Sequence, residues 1–228
     1  MRFQWFERTN GLLGAMAEFS GPCVPGSVLG EMVRVLSVGG VVGLPTDTVY
    51  GLSCLVDGSG VEKIFAAKGR PRDVALPVLV ANSADAERLL RLSPGEHRAL
   101  SLLAGAFWPG PLTVVAHRAP AFEADLGGSD PHTVAVRVPA APVLRAILIR
   151  SGPMATTSAN AHGATAMTSG AEFFLPANAA IHRQLGGLLV DDTPLAGQAS
   201  TVVDIRGGLP RVLRQGPIGI DAMVAVLD

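Results

Sequence analysis

The basic run Lys68-Gly69-Arg70-Pro71-Arg72 contains the residues best suited to bind an anion. It follows a helix-like segment, and cations near a helix C-terminus are favoured for structural reasons alone. The run also holds three like charges close together around a glycine and a proline, with Asp73 as the nearest acidic residue. A polyanion such as a triphosphate would stabilise this cluster. The run is therefore typical of a helix end and of a phosphate site, and its residues leave both interpretations open.

Small polar residues follow two apolar runs that are predicted to be strands. Thr46-Asp47-Thr48 comes after residues 41–44, and Ser158-Ala159-Asn160 comes at the end of residues 154–158. Ligands of open α/β sheets collect beyond strand ends, where short hydroxyl and amide side chains can bind them without filling the space. The same compositions are common in turns and helix caps, so each motif alone is better explained as a turn. Arg214, at the end of a later strand, could add a positive charge.

The sequence lacks several familiar catalytic patterns. Its glycine spacing matches neither a Walker loop nor a dinucleotide fingerprint, and no serine lies in a nucleophile-elbow motif. The five histidines have no zinc-ligand spacing, and Cys23 and Cys54 form no paired metal motif. We therefore predict no covalent catalysis and no metal ligands.

Composition and charge restrict the class of protein further. The chain has 228 residues, of which 48% are hydrophobic and 16% are charged, so it can bury a large core. A formal net charge of -1 argues against a protein held to nucleic acid by bulk electrostatics. No apolar run approaches the ~20 residues of a membrane span, and the N-terminus does not resemble a signal peptide. We expect a cytoplasmic protein that does not bind membranes.

Hydrophobic periodicity predicts helices alternating with strands and no internal repeat. Capping boxes at Ser59–Glu62 and Ser93–Glu96 are predicted to begin two of the helices. Some strands follow each other too closely for helical crossovers, which predicts one layered α/β domain with a mixed sheet. Helices are predicted at residues 27–39, 60–68, 94–107, 142–149 and 220–227, and strands at residues 41–44, 76–80, 112–116, 133–138, 154–158, 188–190, 201–205 and 212–214.

Seven segments between Ser27 and Ile218 resemble, in their order, the YrdC/TsaC family of threonylcarbamoyl-AMP synthases. They are LPTDTVYGL at 44–52, AKGRP at 67–71, FWPGPLT at 107–113, VRVP at 136–139, TSAN at 157–160, STVVD at 200–204 and PRVLRQG at 210–216. One segment alone would be weak evidence, whereas seven in order are specific. On this resemblance residues 25–228 form a YrdC-like catalytic domain. Residues 1–24 show no clear period and are expected to be a loosely attached, flexible N-terminal extension.

The resemblance implies a single α/β domain in which a twisted mixed sheet, flanked by helices, curves around a deep basic cleft. The family's Lys-x-Arg and Ser-x-Asn signatures fall on Lys68/Arg70 and Ser158/Asn160. The implied nucleotide site consists of Lys68, Arg70, Thr113, Ser158, Asn160 and Arg214, with Lys68 and Arg70 as the catalytic cations that face phosphates. The implied threonine side consists of Thr46, Arg137 and Ser200, with Arg137 as partner of the carboxylate. Val74 and Leu79 depart from the family pattern, so contacts there are expected to differ.

The activity implied by the resemblance is ATP-dependent synthesis of L-threonylcarbamoyl-AMP from L-threonine and bicarbonate, with pyrophosphate release, for threonylcarbamoyl-adenosine modification of tRNA. ATP is a substrate, and Mg²⁺ is expected to accompany its triphosphate. A tRNA threonylcarbamoyl-transferase complex would consume the product, and weak RNA binding is a further implication. Two alternatives stay open: an RNA-binding YrdC-like module, and an enzyme that forms a carbamoyl-adenylate from carbamoyl phosphate.

Overall fold

Twelve strands join into one mixed sheet in the computed structural model, which describes residues 1–228. The strands are β1 (Arg2–Thr9), β2 (Leu12–Ser20), β3 (Val41–Pro45), β4 (Tyr50–Leu55), β5 (Val78–Leu79), β6 (Leu90–Arg91), β7 (Leu112–Arg118), β8 (Thr133–Arg137), β9 (Met154–Ser158), β10 (Leu185–Asp191), β11 (Thr201–Asp204) and β12 (Arg211–Arg214). The α-helices are α1 (Gly26–Ser37), α2 (Gly60–Lys68), α3 (Ser83–Arg88), α4 (Pro94–Phe107), α5 (Pro142–Ser151), α6 (Ala179–Gln184) and α7 (Ile220–Leu227). No helix has the length and apolar character needed to cross a membrane.

The strand order shows how distant segments become neighbours. It runs β12-β11-β7-β8-β5-β9-β4-β3-β10-β1-β2, and β6 pairs with β7 outside this path. The pairs β3/β10, β5/β8 and β7/β11 are parallel and the others are antiparallel. The prediction of a mixed sheet in one α/β domain is confirmed.

Two apolar cores cover the two faces of this sheet. The larger core includes the buried side chains of α2 and α4, and the smaller core includes those of α1 and α5. These helices were predicted from apolar residues at helical spacing, and that spacing is what buries one side of each helix. The sheet is therefore held firmly from both sides.

One of the two predicted capping boxes does not form. Ser93 has an extended backbone, accepts from the amide of Glu96 and receives the Glu96 carboxylate on its own amide, so α4 begins as predicted. Ser59 has a φ of -63° and a ψ of -6°, and its side chain makes no capping hydrogen bond. A capping serine needs an extended backbone to turn its hydroxyl toward the first turn, so the prediction at Ser59 is wrong.

The N-terminal segment is an ordered hairpin, which corrects the expectation of a loosely attached extension. Strand β1 pairs with β10 on one side and with β2 on the other, at the end of the sheet. Phe3 and Trp5 are buried at 3% and 1% exposure, and the Phe3 ring stacks on Phe19 at a centroid distance of 5.2 Å. Burial of these aromatic rings in the smaller core fixes the hairpin to the sheet.

The sequence contains a hairpin signal that was not recognised from hydrophobic periodicity. Asn10 and Gly11 join β1 to β2 with φ values of 50° and 83°, the left-handed backbone that an Asn-Gly turn adopts. The side chains of β1 alternate between exposed and buried, as expected for an edge hairpin with one face covered. Whether residues 1–24 and 25–228 are separable units stays a prediction.

Candidate functional site

A polar cavity of about 150 Å³ lies over the central strands of the sheet. Its lining contains three arginines and no carboxylate, imidazole or thiol group. The lining residues are Thr46, Thr48, Val49, Gly51, Arg70, Pro77, Leu79, Thr113, Arg137, Thr156, Thr157, Ser158, Ala199, Ser200 and Arg214.

Strand register, as well as strand ends, gathers these residues. Ser158 pairs with Gly51 across β9 and β4, and Leu79 pairs with Arg137 across β5 and β8. Residues that are directly opposite each other on neighbouring strands point to the same face of a sheet. The cavity therefore extends across one face of the sheet, whereas the residue pattern by itself indicated the space beyond the strand ends.

Seven of the nine predicted site residues line this cavity. They are Thr46, Arg70, Thr113, Arg137, Ser158, Ser200 and Arg214. The other two, Lys68 and Asn160, are hydrogen-bonded to the Ser158 backbone. The Lys68 ammonium donates to the carbonyl oxygens of Ser158 and Asn160 and, at 3.4 Å, to Asn160 Oδ1. Thus all nine residues belong to one connected region, and their individual roles stay predictions.

The end of α2 places Lys68 and Arg70 at the cavity. Gly69 ends the helix with a φ of 58°, a left-handed conformation that glycine adopts without a steric penalty. Arg70 then donates from Nε to the carbonyl of Val74 and from Nη2 to that of Ala75, both at 2.8 Å. These two bonds hold the guanidinium in the cavity wall and leave other N–H groups free.

Lys68 and Arg70 have no carboxylate partner within ion-pair distance. Burial, followed by the charge of Arg70, lowers the pKa of Lys68 to about 8. Burial and then the charge of Arg214 lower the pKa of the Arg70 guanidinium from its ordinary value. Positive charges that are buried together without a counter-charge favour an anionic ligand.

Arg72, the third cation of the basic run, belongs to a different environment. It pairs with Glu62 at 2.9 Å and with Asp125 at 2.6 Å, and its guanidinium lies 4.5 Å from the centroid of the Phe65 ring. Its charge is already balanced on the surface. The basic run is therefore divided, with two cations at the cavity and one outside it.

Arg214, Ser200 and Thr113 form a hydrogen-bonded group in the cavity lining. Arg214 donates from Nε and Nη2 to the Ser200 carbonyl and from Nη2 to its hydroxyl, and the Ser200 and Thr113 hydroxyls are 2.8 Å apart. A side chain on Gly216 would place Cβ 2.4 Å from the Thr201 amide nitrogen, so this close approach requires glycine. The predicted nucleotide residue Thr113 and the predicted threonine residue Ser200 thus contact each other directly.

The Thr46 hydroxyl takes part in a turn and also lines the cavity. It accepts from the amides of Thr48 at 3.0 Å and Val49 at 3.2 Å, which fixes the connection between β3 and β4. The turn interpretation of this motif is therefore correct at the level of the backbone. Thr46 also lines the cavity, so its turn role is compatible with binding a ligand.

Part of the cavity lining was not predicted from the sequence. Thr156 and Thr157 precede Ser158 within a predicted strand, and alternation along that strand would have placed Thr156 on the same face as Ser158. Val49 and Ala199 carried no chemical signal. Leu79, noted only as a departure from the family pattern, is buried in the cavity wall at 2% exposure.

Comparison with known proteins assigns the chain to a family. The Sua5/YciO/YrdC family model, described as "Telomere recombination", matches residues 34–216. The chain therefore belongs to the Sua5/YciO/YrdC family. A Mycobacterium tuberculosis protein with the provisional name threonylcarbamoyl-AMP synthase is 40% identical over 202 residues, which are 86% of this chain and 87% of the relative. The threonylcarbamoyl-AMP synthase of Pyrococcus abyssi is 35% identical over 83% of this chain and 54% of its own length.

Solved structures agree with this assignment. The crystal structure of Pyrococcus abyssi Sua5 complexed with L-threonine matches 90% of this chain with a TM-score of 0.79 and 30% identity. This chain spans 58% of that longer protein. Escherichia coli YciO matches 86% of this chain with a TM-score of 0.75 at 22% identity, which supports the fold alone. The names of the relatives indicate an enzyme of the threonylcarbamoyl-AMP synthase class.

Proposed function

We propose that this protein condenses L-threonine, bicarbonate and ATP into L-threonylcarbamoyl-AMP and pyrophosphate, for the threonylcarbamoyl-adenosine modification of tRNA. The observation that carries the proposal is the set of cations without carboxylate partners, Lys68, Arg70 and Arg214, around one hydroxyl-lined cavity. Such a set supports binding of a triphosphate. The relatives that share most of this chain bear the corresponding enzyme name.

The nucleotide side of the proposed site contains both signature pairs. Arg70, which follows α2, and Arg214, at the end of β12, both line the cavity, so a bound triphosphate would receive N–H donors from two separate segments of the chain. The Ser158 hydroxyl makes no hydrogen bond within the chain and lines the cavity, so it is free to donate to a phosphate oxygen. The Lys68 ammonium donates to the Ser158 carbonyl and to Asn160 Oδ1, so its positive charge lies close to Ser158. Thr113 completes this side of the site.

The amino-acid side would lie near Arg137, Thr46 and Ser200. Arg137 is only 6% exposed and is the cation best placed to bind a carboxylate there. Val49, Leu79 and Ala199 supply apolar contacts for a methyl group, whereas hydroxyls dominate elsewhere in the lining. A methyl contact contributes only ~1–3 kcal/mol of discrimination, so serine is expected to be a slow alternative substrate.

The chemistry needs two bond-forming steps. The threonine amine first attacks the carbon of bicarbonate, and water leaves to give a carbamate. A carbamate oxygen then attacks the α-phosphorus of ATP, and the bond between the α-phosphorus and its bridging oxygen breaks to release pyrophosphate. Charge develops on phosphoryl oxygens in the second step, and cations fixed beforehand stabilise it. A carbamate decomposes readily in water, so holding all three reactants together contributes through proximity.

Magnesium fits this proposal only as a companion of the triphosphate. The chain has no group of three or more His, Cys, Asp and Glu side chains arranged to hold a metal ion, and the cavity lining has no carboxylate. We therefore assign no step to a metal held by the protein. Transfer of the product to tRNA would need a separate transferase complex.

The direct test uses ATP labelled at the α-phosphate, incubated with bicarbonate and each amino acid in turn. The proposal expects a labelled adenylate and pyrophosphate that depend on threonine. Product formed from carbamoyl phosphate in place of threonine and bicarbonate would support the carbamoyl-adenylate alternative. RNA binding without any threonine-dependent product would contradict the proposal.

A further inference from the structure

The ion pair between Asp47 and Arg137 is the most buried ion pair of the protein. The N–O distance is 2.6 Å, and the side chains are 7% exposed for Arg137 and 15% for Asp47. In each other ion pair at least one side chain is 29% or more exposed. Burying two charges costs solvation free energy, so such a pair indicates a role other than surface stabilisation.

The hydrogen bonds of Arg137 leave a defined part of its guanidinium free. A guanidinium has five N–H donors. Arg137 uses three of them, from Nε to the Gly110 carbonyl, from Nη1 to the Thr48 hydroxyl and from Nη2 to Asp47 Oδ1. One N–H on each terminal nitrogen therefore has no partner within the chain. Two such donors match the two oxygens of a carboxylate.

Asp47 makes no bond that would explain it as a turn residue. The amides of the β3–β4 connection are bound by Thr46 Oγ1, and the only side-chain hydrogen bond of Asp47 goes to Arg137. Its second oxygen, Oδ2, is buried and has no hydrogen-bond partner. A buried carboxylate oxygen without a partner is unfavourable, so the turn alone gives no reason for aspartate here.

We infer that Asp47 is a positioning residue: it orients Arg137 so that the two free N–H groups bind the carboxylate of the amino-acid substrate. This inference rests on the proposed function. Asp47 itself is absent from the cavity lining, whereas Arg137 lines it, so Asp47 acts through the arginine. The pair also joins the β3–β4 connection to the end of β8, 90 residues further along the chain.

The experiment compares binding of L-threonine and L-threoninamide, which lacks the carboxylate, to wild-type, Asp47→Asn and Asp47→Ala proteins by calorimetry. Asp47→Ala is expected to weaken threonine binding roughly 10- to 100-fold, since misplacing a binding group by about 1 Å costs up to that much. Threoninamide binding should change little. Asp47→Asn retains an acceptor oxygen and should show a smaller loss, about 10-fold or less.

Steady-state kinetics give a second readout that a purely structural role would not move. In the Asp47→Ala protein the KM for threonine should rise, while the KM for ATP and the turnover at saturating threonine stay near the wild-type values. Asp125→Asn is the matched control, because Asp125 also lies 2.6 Å from an arginine nitrogen but on the surface. It should leave both threonine binding and the threonine KM unchanged.

Each outcome decides between the two proposals. If the wild type makes threonine-dependent adenylate and Asp47→Ala keeps the wild-type preference for threonine over threoninamide, the positioning role is wrong and the proposed function stands. If the wild type makes no such product, the proposed function fails first. Should Asp47→Ala fail to fold, Asp47→Leu replaces it in the test, because leucine keeps the approximate size and shape of the side chain but has no acceptor oxygen.

Discussion

Arg70 and Arg72 are two residues apart in one basic run but have opposite electrostatic surroundings. Arg70 lines the cavity, bonds only backbone carbonyls and has no carboxylate nearby. Arg72 faces the surface and pairs with Glu62 and Asp125. A charge that the fold already balances needs no ligand, whereas a half-buried charge without a partner favours one. The comparison therefore assigns ligand binding to Arg70 and a local structural role to Arg72.

The largest expected effect is the loss of Arg70. Arg70→Ala should lower turnover roughly 10²- to 10³-fold, the usual result of removing one preorganised electrostatic donor. The measurement is pyrophosphate release with saturating threonine, bicarbonate and ATP. Near-normal release by a folded Arg70→Ala protein would remove the proposed distinction between the two arginines.

Loss of Arg214 should have the next largest effect. Arg214 contributes charge from a different segment, the end of β12, but its Ser200 contacts show that part of its hydrogen bonding is internal. Arg214→Ala should raise the KM for ATP by about 10-fold or more, as expected for a lost charge-assisted hydrogen bond. Unchanged nucleotide binding in this variant would restrict the phosphate site to the surroundings of Arg70.

Titration of Lys68 should change kcat/KM for ATP gradually with pH, by less than the loss of Arg70 or Arg214. Its pKa of about 8 in the folded protein lies below its ordinary value of 10.5, chiefly because of burial. As pH rises through about 8 the ammonium loses its charge, so kcat/KM for ATP should fall. Lys68→Arg should retain more of its activity on the alkaline side, since a guanidinium stays protonated.

The free energy of unfolding should also depend on the titration of Lys68, but it should rise with pH where kcat/KM falls. Between pH 8 and 10.5 the unfolded chain binds more protons at this lysine than the folded chain, so the free energy of unfolding should rise with pH. Lys68→Met should lack this contribution. The chain has only one other lysine, Lys63, so the Lys68 signal can be assigned in a lysine-methyl NMR titration. A Lys68 pKa of 10 or above would contradict both expectations.

The smallest effect is expected at Arg72. Its pairs are largely exposed and screened by solvent, so Arg72→Ala should change the free energy of unfolding by less than about 1 kcal/mol. Turnover should remain near wild type. A loss of activity comparable to that of Arg70→Ala would show that the whole basic run serves the ligand.

Sequence patterns predicted the helices and strands whose formation depends mainly on neighbouring residues. The bounds of β9 were predicted to the residue, and a helix was predicted near the bounds of α7, because strand and helix periods are visible in the neighbouring residues themselves. The N-terminal hairpin was missed although Asn10-Gly11 and the alternation of β1 were present. Its stability depends on pairing with β10, more than 170 residues away, which no local period shows.

The sequence by itself determined the family, the alternating elements and which cations, hydroxyls and amides are available to a ligand. Only the tertiary structure decided their environment. It turned Arg70 inward and Arg72 outward, bonded Lys68 to the Ser158 carbonyl, and paired Asp47 with Arg137 across 90 residues. The physical reason is that counter-charges and burial come from distant segments brought together by strand pairing. Residue type fixes which charge is present, and the fold decides whether that charge is already satisfied.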